Sequence, residues 1–159
     1  MFRRVEFQAA AVALVVVGVL LGLGWFGVTG SESDRLSAHL GVLPADVVQE
    51  RYGADSDEAR AYGEMPEYPN AYLVTVTMRD RASGERVEEA RVTATVSRLG
   101  LTGATKQLLP AELAGSRTYG NYFRMREPGI YNVDVRVERP GVSGNDLVSL
   151  EYHRPTDPQ

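Results

Sequence analysis

The sequence predicts a mainly β protein in which an antiparallel β-sandwich follows one N-terminal transmembrane helix and a short helical linker. Apolar and polar residues alternate with period two through the second half of the chain, and Gly and Pro residues separate the alternating runs. An uncharged run of 20 residues, 9–28, precedes this region. We therefore expect an anchor at 1–30, a linker at 31–70, the sandwich at 71–154 and a tail at 155–159.

The amino-acid composition excludes several classes of protein. None of the 159 residues is cysteine, which excludes disulfides, thiolate metal sites and cysteine nucleophiles. The formal net charge is −4, whereas nucleic-acid binding needs a clustered basic surface. We therefore expect no nucleic-acid partner.

Residues 9–28 have the length and composition of a membrane-spanning helix. At about 1.5 Å per residue such a helix spans roughly 30 Å, the thickness of the hydrocarbon core of a bilayer. Arg3 and Arg4 precede the run, which favours a cytoplasmic N-terminus. The prediction is a single-pass protein of the bacterial inner membrane with its C-terminal domain in the periplasm. A cleaved signal peptide, with Val28 and Gly30 at the cleavage site, is the alternative, but its apolar region is usually only about 7–15 residues long.

Two glycines in this run have the spacing of a helix-packing motif. Gly18 and Gly22 form a GxxxG pattern, in which small residues on one face let two helices approach closely. The pattern predicts packing against a helix of a membrane protein complex. The alternative is that glycine is simply common in transmembrane helices.

The predicted linker contains signals for short helices. Cap-forming residues precede Leu36 and Leu40, which are spaced i, i+4 as on one face of a helix. A second helix is predicted between Pro44 and Gly53, because proline favours the start of a helix and glycine its end. Residues 54–70 are polar and contain two prolines, which is typical of a linker or a partner-bound arm.

Four later segments alternate as half-buried antiparallel strands do. A tight reversal is expected at Pro128 and Gly129, and Tyr131 is expected to place its ring in the core and bond its hydroxyl to loop backbone, as in a tyrosine corner. The apolar positions of the four strands are Tyr72, Val74, Val76 and Met78; Ala90, Val92, Ala94 and Val96; Tyr131, Val133, Val135 and Val137; and Val148, Leu150 and Tyr152.

Residues 72–152 resemble the Ig-like β-sandwich domains of the YtkA-like and FixH-like families. The resemblance is carried by AYLVTVTM at 71–78, EEARVTATV at 88–96, YGNYF at 119–123 and PGIY at 128–131, in that order behind an anchor. It implies a periplasmic Ig-like domain with a role beside respiratory membranes, in oxidase assembly or in copper handling.

The resemblance to copper proteins directs attention to Met and His side chains, which bind copper in both oxidation states. The candidates are Met65, Met125, His39 and His153, and they are weak because no HxxM, MxxM or HxH motif occurs. We therefore expect no cofactor, with copper as the open alternative.

Two segments are candidates for an interaction surface. Tyr119, Tyr122 and Phe123 form either core packing or an exposed aromatic contact patch. Residues 99–117 form either a crossover between two sheets or a binding loop.

The function predicted from these observations is a non-catalytic accessory or assembly subunit. It is anchored by 9–28 and docks on a larger membrane complex of respiratory or photosynthetic type. No G-x-S-x-G motif and no phosphate-binding glycine loop is present, so an enzyme is not expected. The alternatives are a copper-handling or oxidase-maturation protein and a stand-alone periplasmic binding module.

Overall fold

The computed structural model of the protein describes residues 33–113 and 115–156. The predicted anchor at 9–28, with Gly18 and Gly22, lies outside these residues. Within them, no helix is long and apolar enough to cross a membrane. The elements are β1 (Leu36–Pro44), α1 (Ala45–Tyr52), α2 (Asp57–Arg60), β2 (Ala71–Asp80), β3 (Arg91–Arg98), β4 (Ala104–Leu113), β5 (Ser116–Arg124), β6 (Gly129–Glu138) and β7 (Asp146–Arg154).

The seven strands form one antiparallel sheet in the order β1-β2-β5-β4-β3-β6-β7. Every neighbouring pair is antiparallel, as the period-two pattern predicted. The two edge strands, β1 and β7, lie beside each other, so the sheet nearly closes into a barrel around its apolar core. The mainly β prediction is confirmed.

Strand β4 joins the two halves of the sheet. Residues 104–108 pair with β3, and residues 109–113 pair with β5. The segment 99–117 was expected to be a crossover or a binding loop. It does pass from one half to the other, but most of it does so as a strand and only its ends form turns.

The helix expected ahead of Leu40 is wrong, because residues 36–44 form the edge strand β1. Leu36, Ala38, Leu40 and Val42 are all buried and point to the core, whereas His39 is exposed. The i, i+4 spacing of two leucines fits a strand face as well as a helix face. The expected linker 31–70 thus contributes β1 and both helices to the fold.

The expected helix after Pro44 is confirmed as α1. It ends at Tyr52, and the following Gly53 has a φ of 83°. Helices α1 and α2, with the segment up to Tyr62, pack on the outer face of β2 and β5 and are called the helical cap (residues 45–62). This cap explains why Leu73 is buried although it points away from the main core.

The expected tyrosine corner is also confirmed. The Tyr131 ring is buried, and its hydroxyl donates to the Glu127 carbonyl oxygen at 2.8 Å. The same hydroxyl accepts from the Glu127 backbone N–H at 3.3 Å. Both backbone groups of one loop residue are therefore satisfied by a single core side chain.

Candidate functional site

The aromatic residues considered as a contact patch are buried. Tyr119, Tyr122 and Phe123 are each 1% exposed, so they offer no surface to a partner. The Tyr119 hydroxyl donates to the Val87 carbonyl oxygen at 3.2 Å, and the Tyr122 hydroxyl donates to that of Ala59 at 2.9 Å. Burial raises the pKa of both tyrosines. The contact-patch hypothesis is wrong because the helical cap covers one face of β5 and the core covers the other.

Lys106 bridges β4 and β5 where the two strands separate. Backbone pairing between the two strands reaches Gly120 and stops there. Beyond that residue the Lys106 ammonium donates to the Tyr122 carbonyl oxygen at 2.6 Å, and the Asn121 side-chain amide donates to the Gln107 carbonyl oxygen at 2.8 Å. Where the two strands diverge, side chains thus replace the backbone hydrogen bonds between them. The carbonyl oxygens of Tyr122 and Gln107 are satisfied in this way.

The four weak copper candidates do not form a site. His39 and His153 are exposed on the two edge strands. Met125 is fully buried in the main core, and Met65 packs against the helical cap. Among the described residues, no three His, Cys, Asp or Glu side chains group as metal ligands do. Since copper needs clustered soft or imidazole ligands, these four side chains, as the described residues place them, do not fit this metal.

A cluster of charged side chains fastens one end of the sheet. It consists of Arg35, Asp80, Arg139 and Asp146 and is called the charged end cluster. Arg139 contacts Asp80 at 2.6 Å and Asp146 at 3.1 Å, and Arg35 contacts Asp146 at 2.7 Å. The Asp146 side chain is only 3% exposed. These contacts tie the start of β1 and the end of β2 to the β6–β7 connection.

The electrostatics of this cluster indicate a structural role. The hydrogen bond from Arg139 and that from the Ser83 backbone hold the pKa of Asp80 at about 2. The Nε, Nη1 and Nη2 atoms of Arg139 each donate to a carboxylate, so the positive charge of this side chain is balanced within the cluster. A shallow cavity of about 270 Å³ borders the cluster between Arg139 and residues 83–89. Sequence reasoning missed the cluster because its members are far apart in the chain.

The opposite end of the sheet carries an exposed apolar surface. Leu99 and Leu101 in the β3–β4 turn are 62% and 63% exposed, and Ile130 at the start of β6 is 36% exposed. The Leu99 backbone N–H donates to the Ile130 carbonyl oxygen at 2.9 Å, which holds the turn against β6. We call Leu99, Leu101 and Ile130 the apolar tip.

Charged side chains border the apolar tip. The Arg98 side chain lies over Gly129, with its Nε 3.3 Å from the position that a Cβ would occupy there. Arg126 is exposed in the neighbouring β5–β6 connection, together with the acidic Glu127. In the part of the chain that the structure describes, no salt bridge engages Arg98 or Arg126. Leu99 and Leu101 lie at the N-terminal edge of the 99–117 candidate segment, whereas Ile130 lies outside it, and sequence alone did not distinguish these leucines from the rest.

The fold and surface together define a seven-stranded antiparallel β domain with one fastened charged end and one exposed apolar end. The same fold occurs in a DUF4426 family protein from Pseudomonas aeruginosa, at 17% identity and a TM-score of 0.54, over 82% of this chain and 98% of that one. It also occurs in FetP from uropathogenic Escherichia coli strain F11, at 11% identity and a TM-score of 0.57, over 83% of this chain and 97% of FetP.

A copper-bound variant of the same FetP is similar to an equal degree, with 11% identity and a TM-score of 0.57. At these identities the likeness shows a shared fold. No protein-family model matches the sequence, so the resemblance to the YtkA-like and FixH-like families stays a prediction. A comparison with curated proteins finds no match.

Proposed function

We propose that the chain is a single-pass accessory protein of the bacterial inner membrane whose Ig-like β domain stands in the periplasm. In this proposal residues 9–28 are retained as an anchor, and the protein docks on a larger membrane complex without catalysing a reaction. The observation that carries the proposal is the uncharged run of 20 residues directly ahead of a folded β domain.

The Gly18 and Gly22 spacing supports a docking role within the membrane. Inside a bilayer the hydrophobic effect does not drive helices together, because the acyl chains are as apolar as the helix surface. Association therefore depends on close packing of small residues and on interhelical hydrogen bonds. A helix with a face of small residues is therefore stabilised by packing against a neighbouring helix. The likeness to FetP, which was expressed in the periplasm, supports placing the β domain in that compartment.

The side chains of the β domain support a non-catalytic role. His39 and His153 are the two histidines of the chain, and both are exposed on sheet edges. The buried carboxylate of Asp146 is neutralised by Arg35 and Arg139 rather than held ready for proton transfer. A binding role is the better match to these features.

Co-purification from membranes tests the proposal. Gly18→Leu combined with Gly22→Leu adds bulk to the small-residue face while keeping the helix apolar. The double variant is expected to insert normally but to recover much less of the partner complex in mild detergent. Leu14→Ile combined with Leu21→Ile is the matched control, since it alters the same run without adding volume. Equal recovery of partner with both variants would count against docking through this helix, and a mature N-terminus at Ser31 would remove the anchor itself.

Copper handling is the second candidate function, because a copper-bound FetP variant shares the fold. The poor fit of Met65, Met125, His39 and His153 to a copper site weighs against it. Anaerobic loading of the full-length chain with Cu(I), followed by desalting and metal analysis, separates the two candidates. Stoichiometric copper that is lost on His39→Ala or His153→Ala would favour copper handling, and trace copper would exclude it.

A further inference from the structure

We infer that the apolar tip is the docking surface of the β domain and that it fits an apolar groove bordered by carboxylates on a neighbouring protein of the membrane complex. This inference rests on the proposed function, because it uses the anchor to orient the domain. It adds a surface and a partner chemistry that the proposed function does not specify.

The register of the strands places the apolar tip far from the anchor. Leu36 pairs with Asp80 at one end of the sheet, and Pro44 pairs with Tyr72 at the other. Following the pairing across the sheet puts Arg98 at the Pro44 end. The nine residues of β1 separate the two ends by up to about 30 Å, since a strand rises about 3.3 Å per residue.

The anchor determines which end faces the bilayer. Only four residues, 29–32, separate the predicted anchor from Ser33, and a fully extended chain of four residues spans at most about 14 Å. The charged end cluster, which includes Arg35, therefore lies on the membrane side. In this orientation the apolar tip points away from the bilayer in which the chain is anchored, so a protein is the expected occupant.

The exposed leucines of the tip, Leu99 and Leu101, lie on a turn that is held in place by backbone hydrogen bonds. Leu99 and Leu101 are held on a turn whose backbone is fixed at both ends, by bonds to Ile130 and to Arg98. Large apolar side chains presented on a rigid turn bury their surface on association at little cost in conformational entropy. Apolar side chains of this kind are typical of the centre of an interface.

The charges at the border specify the partner's chemistry. Arg98 and Arg126 outnumber the acidic Glu127, and neither arginine has an ion-pair partner among the described residues. An arginine beside an apolar centre pairs best with a carboxylate, which it can contact through two parallel hydrogen bonds. A groove with acidic borders therefore fits the tip better than a neutral or basic one.

Site-specific photo-cross-linking in membranes of the full-length chain tests the inference. A photoreactive residue is placed at 101 in one variant and at 147 in another. Leu147 is the matched control, because it is 64% exposed but lies on β7 next to Asp146, at the charged end. The expected result is a cross-link from position 101 to a membrane-complex protein, mapped next to Asp or Glu residues, and no such product from position 147.

Substitutions at the tip give the second arm of the test. Leu99→Ser with Leu101→Ser should lower recovery of the partner by about tenfold or more, as removal of an interface centre does. Arg98→Glu should also lower recovery, because it places a negative charge against the acidic border of the groove. Leu147→Ser should leave recovery unchanged. Thermal unfolding followed by circular dichroism shows whether each variant is folded, which is expected because all four positions are exposed.

Several outcomes would overturn the inference. These are equal cross-linking from both positions, cross-linking of position 101 to a second copy of this chain or to lipid alone, and full recovery of partner by the folded tip variants. If the tip variants keep the partner while Gly18→Leu with Gly22→Leu loses it, the proposed function stands and the tip inference fails. If the unmodified chain recovers no partner, the proposed function and the tip inference both fail.

Discussion

The contact between Gly120 and Tyr62 gives a quantitative prediction about the helical cap. Gly120 lies on β5, in the middle of the YGNYF segment, and the Tyr62 ring packs directly on it. A Cβ at position 120 would lie 2.6 Å from Tyr62 Cδ1 and 3.0 Å from Thr75 Cγ2. Ordinary carbon–carbon contacts are about 3.5–4.0 Å, so in Gly120→Ala the ring must withdraw by about 1 Å.

The expected cost of Gly120→Ala follows from this overlap. Forcing an extra methyl group into a packed site typically costs about 1–3 kcal/mol. Alanine also restricts the unfolded chain more than glycine does, which offsets about 0.4–1 kcal/mol of that cost. This offset applies because Gly120 does not adopt a positive φ, so alanine can take the same backbone conformation. We therefore expect a net loss of roughly 1–2 kcal/mol in the free energy of unfolding. Urea denaturation of the full-length chain in mild detergent, followed by tyrosine circular dichroism, measures it.

A double-mutant cycle isolates the contact responsible. In the Tyr62→Ala background the clash with the ring is gone, so Gly120→Ala should cost less than about 0.5 kcal/mol or should stabilise. The coupling between the two sites should then be at least about 1 kcal/mol. An equal cost of Gly120→Ala in both backgrounds would refute the clash with the Tyr62 ring. The cost would then come from the contact with Thr75 or from the backbone conformation.

Three further predictions concern the charged end cluster, the buried tyrosines and the strand register. The pKa of Asp80 is about 2 in the fold against an ordinary 3.8, so its ionised form stabilises the fold above pH 3.8, and this contribution is lost as the pH falls towards 2. Asp80→Asn should remove that part of the pH dependence in urea denaturation, and an unchanged pH profile would contradict the Arg139 contact. Burial raises the pKa of Tyr152 to about 12, so stability is complete below pH 10 and falls as the pH rises towards 12. Tyr152→Phe should flatten this alkaline decline, and a decline that is unchanged in this variant would contradict the burial. Val135→Asp should cost several kcal/mol because it buries an unpaired charge, whereas Asp134→Val should be tolerated because Asp134 is exposed and its side chain accepts a hydrogen bond from the exposed Ser149. Equal damage from both changes, measured by thermal unfolding, would mean that the register of β6 is wrong.

Local patterns predicted a large part of the fold. The alternation in β2, β3, β6 and β7 predicted both the strands and their buried faces, because side chains of a strand alternate between two faces whatever its partner is. Pro44 and Gly53 marked the limits of α1, since the backbone preferences of proline and glycine are properties of single residues. The reversal expected at Pro128 and Gly129 likewise predicted the tyrosine corner of Tyr131 without knowledge of which strands pair.

The errors arose where a pattern fits two structures. Leu36 and Leu40 fit one face of a helix or of a strand, and pairing with β2 decides for the strand β1. The sequence around Tyr122 fits a core residue or part of an exposed patch, and its burial depends on a helical cap that comes from a distant segment. Neither outcome follows from the local sequence.

The amino-acid sequence by itself thus determined the strand periodicity, the turns, the limits of α1 and the presence of an uncharged run at 9–28. The tertiary structure decided that β1 lies beside β7, that Arg139 contacts Asp80 and Asp146, and that Leu99, Leu101 and Ile130 lie at one exposed end. The physical reason is the range of the interactions. Backbone preferences and side-chain alternation act over a few residues, whereas strand pairing and ion pairing join residues that only the folded chain brings together.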